Sequence, residues 1–139
     1  MKSLGSQLFF ASLLAALTSA GCGSSEYVIV GSPQAVGADA VASVEEIEGG
    51  NLLINVEARN LAPAGRLQPG ASKFVMWVIP AGKPAHNAGA LEYDEDDREG
   101  HGVATTPVKS FELRVTAEAS KDAATPGPTT VFTKQIRED

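Results

Sequence analysis

The residues best suited to chemistry are few, and most lie between positions 77 and 101. The densest group is Asp94-Glu95-Asp96-Asp97-Arg98-Glu99-Gly100. Carboxylates at alternate positions supply hard oxygen ligands of the kind Ca²⁺ takes. The spacing is not that of an EF-hand loop, which needs its glycine sixth and its glutamate twelfth. The plainer reading is a solvated hairpin tip, in which Asp and Gly satisfy turn geometry and charge discourages edge pairing. His86 and His101 add imidazole donors suited to Zn²⁺. They stand 15 positions apart with no close-spaced ligand pair, so two exposed loop histidines are expected. Trp77 offers an aromatic platform, but on an all-apolar strand it is expected in the core. Arg66 and Lys73 flank one loop and would mark a binding edge, with solvated charges as the default. No Gly-x-Ser-x-Gly elbow or phosphate-binding glycine loop is present. No nucleophile can be paired with a base and an orienting acid. No catalytic residue, metal site or cofactor site is therefore expected.

The elements around these residues belong to one domain, since the chain has 139 residues. Hydrophobic residues make up 43% and charged residues 20%, which suits a packed globular chain. Aromatics are only 6%, so Val, Leu and Ile must build most of the core. Lys2 carries the only charge in the first 21 residues. The rest holds 10 basic and 17 acidic residues, a net charge of −7. So acidic a chain lacks the cationic footprint of nucleic-acid binding and of attraction to anionic lipid. One cysteine, Cys22, precludes an internal disulfide, and stability must come from the core.

Residues 1–21 read as a signal segment outside the fold. A weakly positive start, Met1-Lys2-Ser3, precedes an apolar run from Leu8 to Leu17 and then small residues up to Gly21. The run is too short to span a ~30 Å hydrocarbon core, which takes ~20 residues. Ala20-Gly21-Cys22 resembles the bacterial lipobox, whose cysteine is acylated and becomes the new N-terminus. The resemblance implies lipid attachment at Cys22 through palmitate-class chains, enough in pairs to hold a protein on a membrane. Ser19 stands where that motif usually has Leu, which leaves open ordinary cleavage after Ala20 and a soluble exported chain. Gly23 follows the cysteine where an Asp would signal inner-membrane retention. That implies the outer membrane, on its periplasmic side, if the host has two membranes. Residues 22–26 are expected to form the lipidated tether and residues 27–137 the folded domain.

After residue 25, alternation and turn residues dominate. Strands are expected at Glu26–Val30, Ala38–Glu48, Leu52–Asn60, Phe74–Ile79, Ala90–Tyr93, Val103–Thr106, Phe111–Ala117 and Thr130–Ile136. Leu52, Ile54, Val56 and Ala58 alternate cleanly with polar residues, whereas Ala38–Glu48 has apolar residues on both sides. Phe74 to Ile79 is apolar on both faces, as in a central strand. Leu61–Ser72, Ala81–Gly89, Asp94–Gly102 and Ser120–Pro128 read as loops or turns. Seven or eight short strands without a long helix predict an all-β, antiparallel, immunoglobulin-like sandwich. The Cys…Trp…Cys signature of true immunoglobulin domains is absent. Trp77 is expected to fill the equivalent core space.

Trp77 to Leu91 (WVIPAGKPAHNAGAL) and Val115 to Val131 (VTAEASKDAATPGPTTV) resemble the extracytoplasmic domain of membrane-bound bacterial anti-sigma factors. Those segments fall within residues 73–136, and the likeness implies a β-sandwich used outside the cytoplasm. No sigma-binding segment accompanies it, so sigma-factor inhibition is not implied. The function expected is a non-enzymatic binding or interaction module of the cell envelope. It would be tethered through Cys22, with an envelope protein as partner and contacts sought in the loops. The alternatives are a Ca²⁺- or small-ligand-binding sensor that uses the acidic hairpin and, behind it, a cell-envelope hydrolase.

Overall fold

The computed structural model describes residues 23–139, so Cys22 and the expected signal segment lie outside the described residues. Among those described, nine strands form two antiparallel sheets. They are β1 (Ser25–Val30), β2 (Asp39–Glu46), β3 (Leu52–Arg59), β4 (Lys73–Ile79), β5 (His86–Ala90), β6 (Glu92–Asp94), β7 (Glu99–Thr106), β8 (Ser110–Glu118) and β9 (Thr130–Arg137). A single helical turn, α1 (Ala64–Leu67), interrupts the β3–β4 crossing. The first sheet has the order β1-β2-β3-β7-β6, and the second β5-β4-β8-β9. Strands β2-β3-β7-β6 follow the A-B-E-D order of an immunoglobulin sandwich, and β4-β8-β9 the C-F-G order. β5 is added beside β4 and β1 beside β2. The fold is the expected antiparallel sandwich, with nine strands rather than seven or eight. Its first strand starts one residue sooner than expected, because Ser25 already pairs with Val44.

The core follows from side-chain alternation. Leu52, Ile54, Val56 and Ala58 of β3 face Phe111, Leu113, Val115 and Ala117 of β8 across the interior. β2 resolves the mixed pattern of its sequence. Its inward face is Ala40, Ala42 and Val44, and Val41 points to solvent. Two small alanines had hidden the alternation there. β4 sends Phe74, Met76 and Val78 into the same core.

One stretch departs from the expected course for a packing reason. The segment expected as a single strand, Ala90–Tyr93, changes sheet at Leu91. Ala90 pairs with Val75 in the second sheet, and Glu92 pairs with His101 in the first. Leu91 bridges the gap, donating its N–H to the Phe74 carbonyl at 2.8 Å and burying its side chain. The side chain lies against the inward face of β7, where Gly100 and Gly102 leave room for it. Those glycines look like turn residues in the sequence, which extends the expected turn from Asp94 to Gly102. They belong to the strand, and their lack of Cβ admits a neighbouring side chain.

A Cβ at Gly102 would lie 2.6 Å from Leu91 Cδ2 and 2.7 Å from Met76 Sδ. Gly102→Val should therefore destabilise the protein by about 1–3 kcal/mol through overpacking. Val103→Thr, one position along on the exposed face, should change stability by less than about 0.5 kcal/mol. Urea unfolding of both variants checks the contrast.

Candidate functional site

Strand register places the loops at two ends. Lys73 lies opposite Glu118, and Ile79 opposite Glu112. The β3–β4 and β8–β9 connections therefore leave the same end, where Ser72 donates its N–H to the Glu118 carbonyl at 2.9 Å. Ser32 N–H to the Val131 carbonyl (2.8 Å) and Leu61 N–H to the Arg98 carbonyl (3.0 Å) bring the β1–β2 and β6–β7 connections there too. Residues 80–85 turn at the opposite end, near Glu112 and Gln135. Ser25 also starts at that opposite end, where its hydroxyl donates to Glu138 at 3.2 Å. Of the three loops expected to carry contacts, Leu61–Ser72 and Ser120–Pro128 thus share an end, and Ala81–Gly89 does not. His86–Gly89 is in fact strand, not loop.

The two histidines do not converge. His86 opens β5 in the second sheet, opposite Val78, while His101 lies in β7 of the first sheet. His101 is a strand residue on the outer face, contrary to the loop expected. Among the described residues, no group of three His, Cys, Asp or Glu side chains is placed to hold a metal ion. The acidic run forms the tight β6–β7 hairpin. Asp94 Oδ1 accepts the N–H groups of Asp96 (3.0 Å) and Asp97 (3.3 Å), which gives that carboxylate a turn-closing task. Arg98 closes the hairpin in the left-handed region at φ 54°. Arg66 on α1 and Lys73 at the start of β4 are both exposed.

Trp77 is fully buried, but not in the inter-sheet core expected for it. Alternation along β4 turns Val75 and Trp77 to the outer face of the second sheet, where the β8–β9 loop covers them. The indole Nε1–H donates to Thr116 Oγ1 at 2.8 Å. Thr116 in turn donates to Glu118 Oε2 at 2.6 Å. The same carboxylate oxygen accepts Gly127 N–H at 2.8 Å. Across β4, Asn87 Nδ2 donates to the carbonyls of Lys121 and Ala123, each at 2.9 Å. The loop is thereby fastened to β8 on one side and β5 on the other, with Trp77 beneath. A Cβ at Gly127 would reach within 2.9 Å of the Glu118 carboxylate, so glycine permits this approach.

An open depression lies on the outer face of the first sheet. It measures about 730 Å³, and its lining includes Glu57, Arg59, Tyr93, Asp94, Glu99 and His101. Register aligns Glu57, His101 and Glu92 in one row across β3, β7 and β6. Glu57, Arg59 and Glu92 escaped notice in the sequence because their nearness to His101 depends on β7 beginning at Glu99. The polar face of β3 was the available signal. Tyr93 anchors the inner rim, its hydroxyl donating to the Leu61 carbonyl and its ring meeting Phe74 edge-on at 5.1 Å. Burial pushes the Tyr93 phenol above its usual range, and the nearby Arg98 charge opposes this. Burial also raises Tyr27, helped by its hydrogen bond to Glu138. Both phenols stay protonated around neutral pH and serve as donors.

No family model, curated protein or solved structure compared with the chain matches it. The row of exposed carboxylates around one imidazole attracts cationic groups weakly and in a salt-dependent way. Continuing along the same sheet face, Val28 lies opposite Val41, and Val41 opposite Glu57. Val28, Val30 and Val41 are exposed among Glu26, Asp39 and Glu45 on β1 and β2, beside the charged row on β3, β7 and β6.

Glu118→Ala should unfasten the β8–β9 loop and leave Thr116 Oγ1 and Gly127 N–H without their shared acceptor. Acrylamide quenching of Trp77 emission should rise, with about 1.5–3 kcal/mol lost from stability, the usual value of hydrogen bonds to a charged group. Unchanged quenching would mean that the loop stays closed without Glu118.

Proposed function

We propose that this chain is an exported bacterial lipoprotein, anchored by acylation of Cys22, whose sandwich is a non-enzymatic module that binds another envelope protein. The observation that carries the reading is how the lipobox-like Ala20-Gly21-Cys22 abuts the fold. Only Gly23 and Ser24 separate the cysteine from β1. So short a link holds the end carrying Ser25 and residues 80–85 near the membrane. It turns the loop-rich end, with the β6–β7 hairpin and the Leu61–Ser72 and Ser120–Pro128 connections, away from it.

The contact face in this reading is the outer side of the first sheet. Val28, Val30 and Val41 offer apolar area, and Glu57, Glu92 and Asp94 offer a negative rim for a basic partner surface. Charge of this sort guides encounter and selects partners more than it adds affinity. The likeness of residues 73–136 to the extracytoplasmic domain of anti-sigma factors fits a presentation or sensing role, since one fold serves many functions.

Chemical crosslinking in intact bacterial envelopes tests the module. A discrete partner band is expected from the unaltered protein, reduced at least tenfold by Glu57→Lys combined with Glu92→Lys. Exposed surface changes of this kind should leave folding intact. No discrete band, or a band indifferent to the charge reversal, would contradict the proposal.

A further inference from the structure

We infer that β1 is an open sheet edge that takes up an extended segment of the partner protein as an added strand. The inference rests on the reading of this chain as a protein-binding module and names the mode of contact and the kind of segment bound. It starts from hydrogen-bond parity. Gly31 donates its N–H to the Ala38 carbonyl at 2.7 Å, continuing the register in which Val30 lies opposite Asp39. Along an antiparallel strand, successive residues turn their backbone groups toward the partner and away from it in alternation. Ser25, Tyr27 and Ile29 therefore bond to β2. Glu26, Val28 and Val30 point their N–H and C=O groups to the other side, where the sheet has no further strand. Ser32 keeps the same parity, and its N–H reaches the Val131 carbonyl of β9 instead.

The sheet orders make β1, β6, β5 and β9 the edge strands, and the last three are each blocked or interrupted. β6 has only three residues. β5 breaks register against β4 between Val75 and Trp77, and its Gly89 N–H is taken by Asn87 Oδ1 at 2.8 Å. On β9, the Val131 carbonyl accepts Ser32 N–H at 2.8 Å and the Arg137 carbonyl accepts the Tyr27 hydroxyl at 2.9 Å, with Lys134 exposed between them. Short strands, bulges and lysines are the devices that keep sheet edges from pairing. β1 has none of these. It contains neither lysine nor proline, and its pairing with β2 is unbroken. Val28, Ile29 and Val30 are β-branched and suit a strand that pairs further.

The outer face of this edge defines the occupant. Val28 and Val30 are 68% and 78% exposed, and Val41 of β2 lies opposite Val28. Glu26, Asp39 and Glu45 stand exposed among them, and β1 and β2 hold no basic residue. An added strand places every second side chain on that face. The matching segment carries apolar residues beside Val28 and Val30 and, two positions on, a lysine or arginine within reach of Glu26. A second copy of this chain fits poorly, because it would bring the same acidic edge into like-charge contact.

Photo-crosslinking in intact bacterial envelopes tests the inference, with p-benzoylphenylalanine placed in turn at positions 26, 28 and 30 of the full-length protein. The crosslinks are expected in one partner segment, at sites that move by two residues from each position to the next, with a basic residue at or beside the site reached from position 26. Val28→Pro deletes an outward N–H and no bond to β2, as edge strands tolerate. It should reduce the crosslinks from position 30 at least tenfold. Val30→Lys keeps every backbone bond and guards the edge with a charge, and it should reduce those from position 28 as strongly even if the proline variant fails to fold. Crosslinks scattered over several segments, crosslinks to a second copy of this chain, or crosslinks indifferent to Val30→Lys would overturn strand addition. A partner band that survives both β1 variants yet falls with the Glu57→Lys and Glu92→Lys pair would leave the binding module standing without it. Absence of any partner band would remove both.

Discussion

β4 is buried on both of its faces, and much of the remaining structure depends on that. Phe74, Met76 and Val78 close the inter-sheet core, while Val75 and Trp77 are buried on the opposite side. A strand in the middle of a two-layer sandwich ordinarily has one face toward the core and one toward solvent. Here the β8–β9 loop supplies a third layer over the second face. Its cost is the ordering of a Pro- and Gly-rich segment, offset by burial of a whole indole and by the hydrogen bonds that converge on Glu118. The same strand receives Leu91 through the Phe74 carbonyl, so the chain's change of sheet is also fixed by β4.

The distribution of polar groups gives the sandwich a direction. The first strand starts at one end, directly after the segment expected to carry lipid. The hairpin tip and the fastened loop occupy the other. The outer face of the first sheet runs between them, with exposed valines among acidic residues on β1 and β2 and a charged row on β3, β7 and β6. In the proposed anchored module, this arrangement would keep the loop-rich end away from the membrane. The strong negative charge works in the same sense, since it disfavours collapse onto anionic lipid.

Much of this was legible in the sequence where pattern and burial coincide. The alternation of Leu52 to Ala58 and Phe111 to Ala117 predicted both strands and their inward faces, and the two-sided apolarity of β4 was plain. Three features were hidden for identifiable reasons. Ala40 and Ala42 are too small to signal a core face against Val41. Gly100 and Gly102 look like turn residues unless the intrusion of Leu91 is known. Trp77 shows that a residue is buried without showing on which side, because only the later loop decides what covers it. The charged row around His101 was illegible for a related reason: it is assembled by register between strands distant in sequence.

The most direct measurement is the intact mass of the protein recovered from bacterial membranes, with Cys22→Ala alongside. The account predicts a mass for cleavage before Cys22 plus acyl chains, and loss of both the lipid and the membrane attachment in the variant. A chain beginning at Gly21 without lipid would contradict it and would leave a soluble exported sandwich in its place.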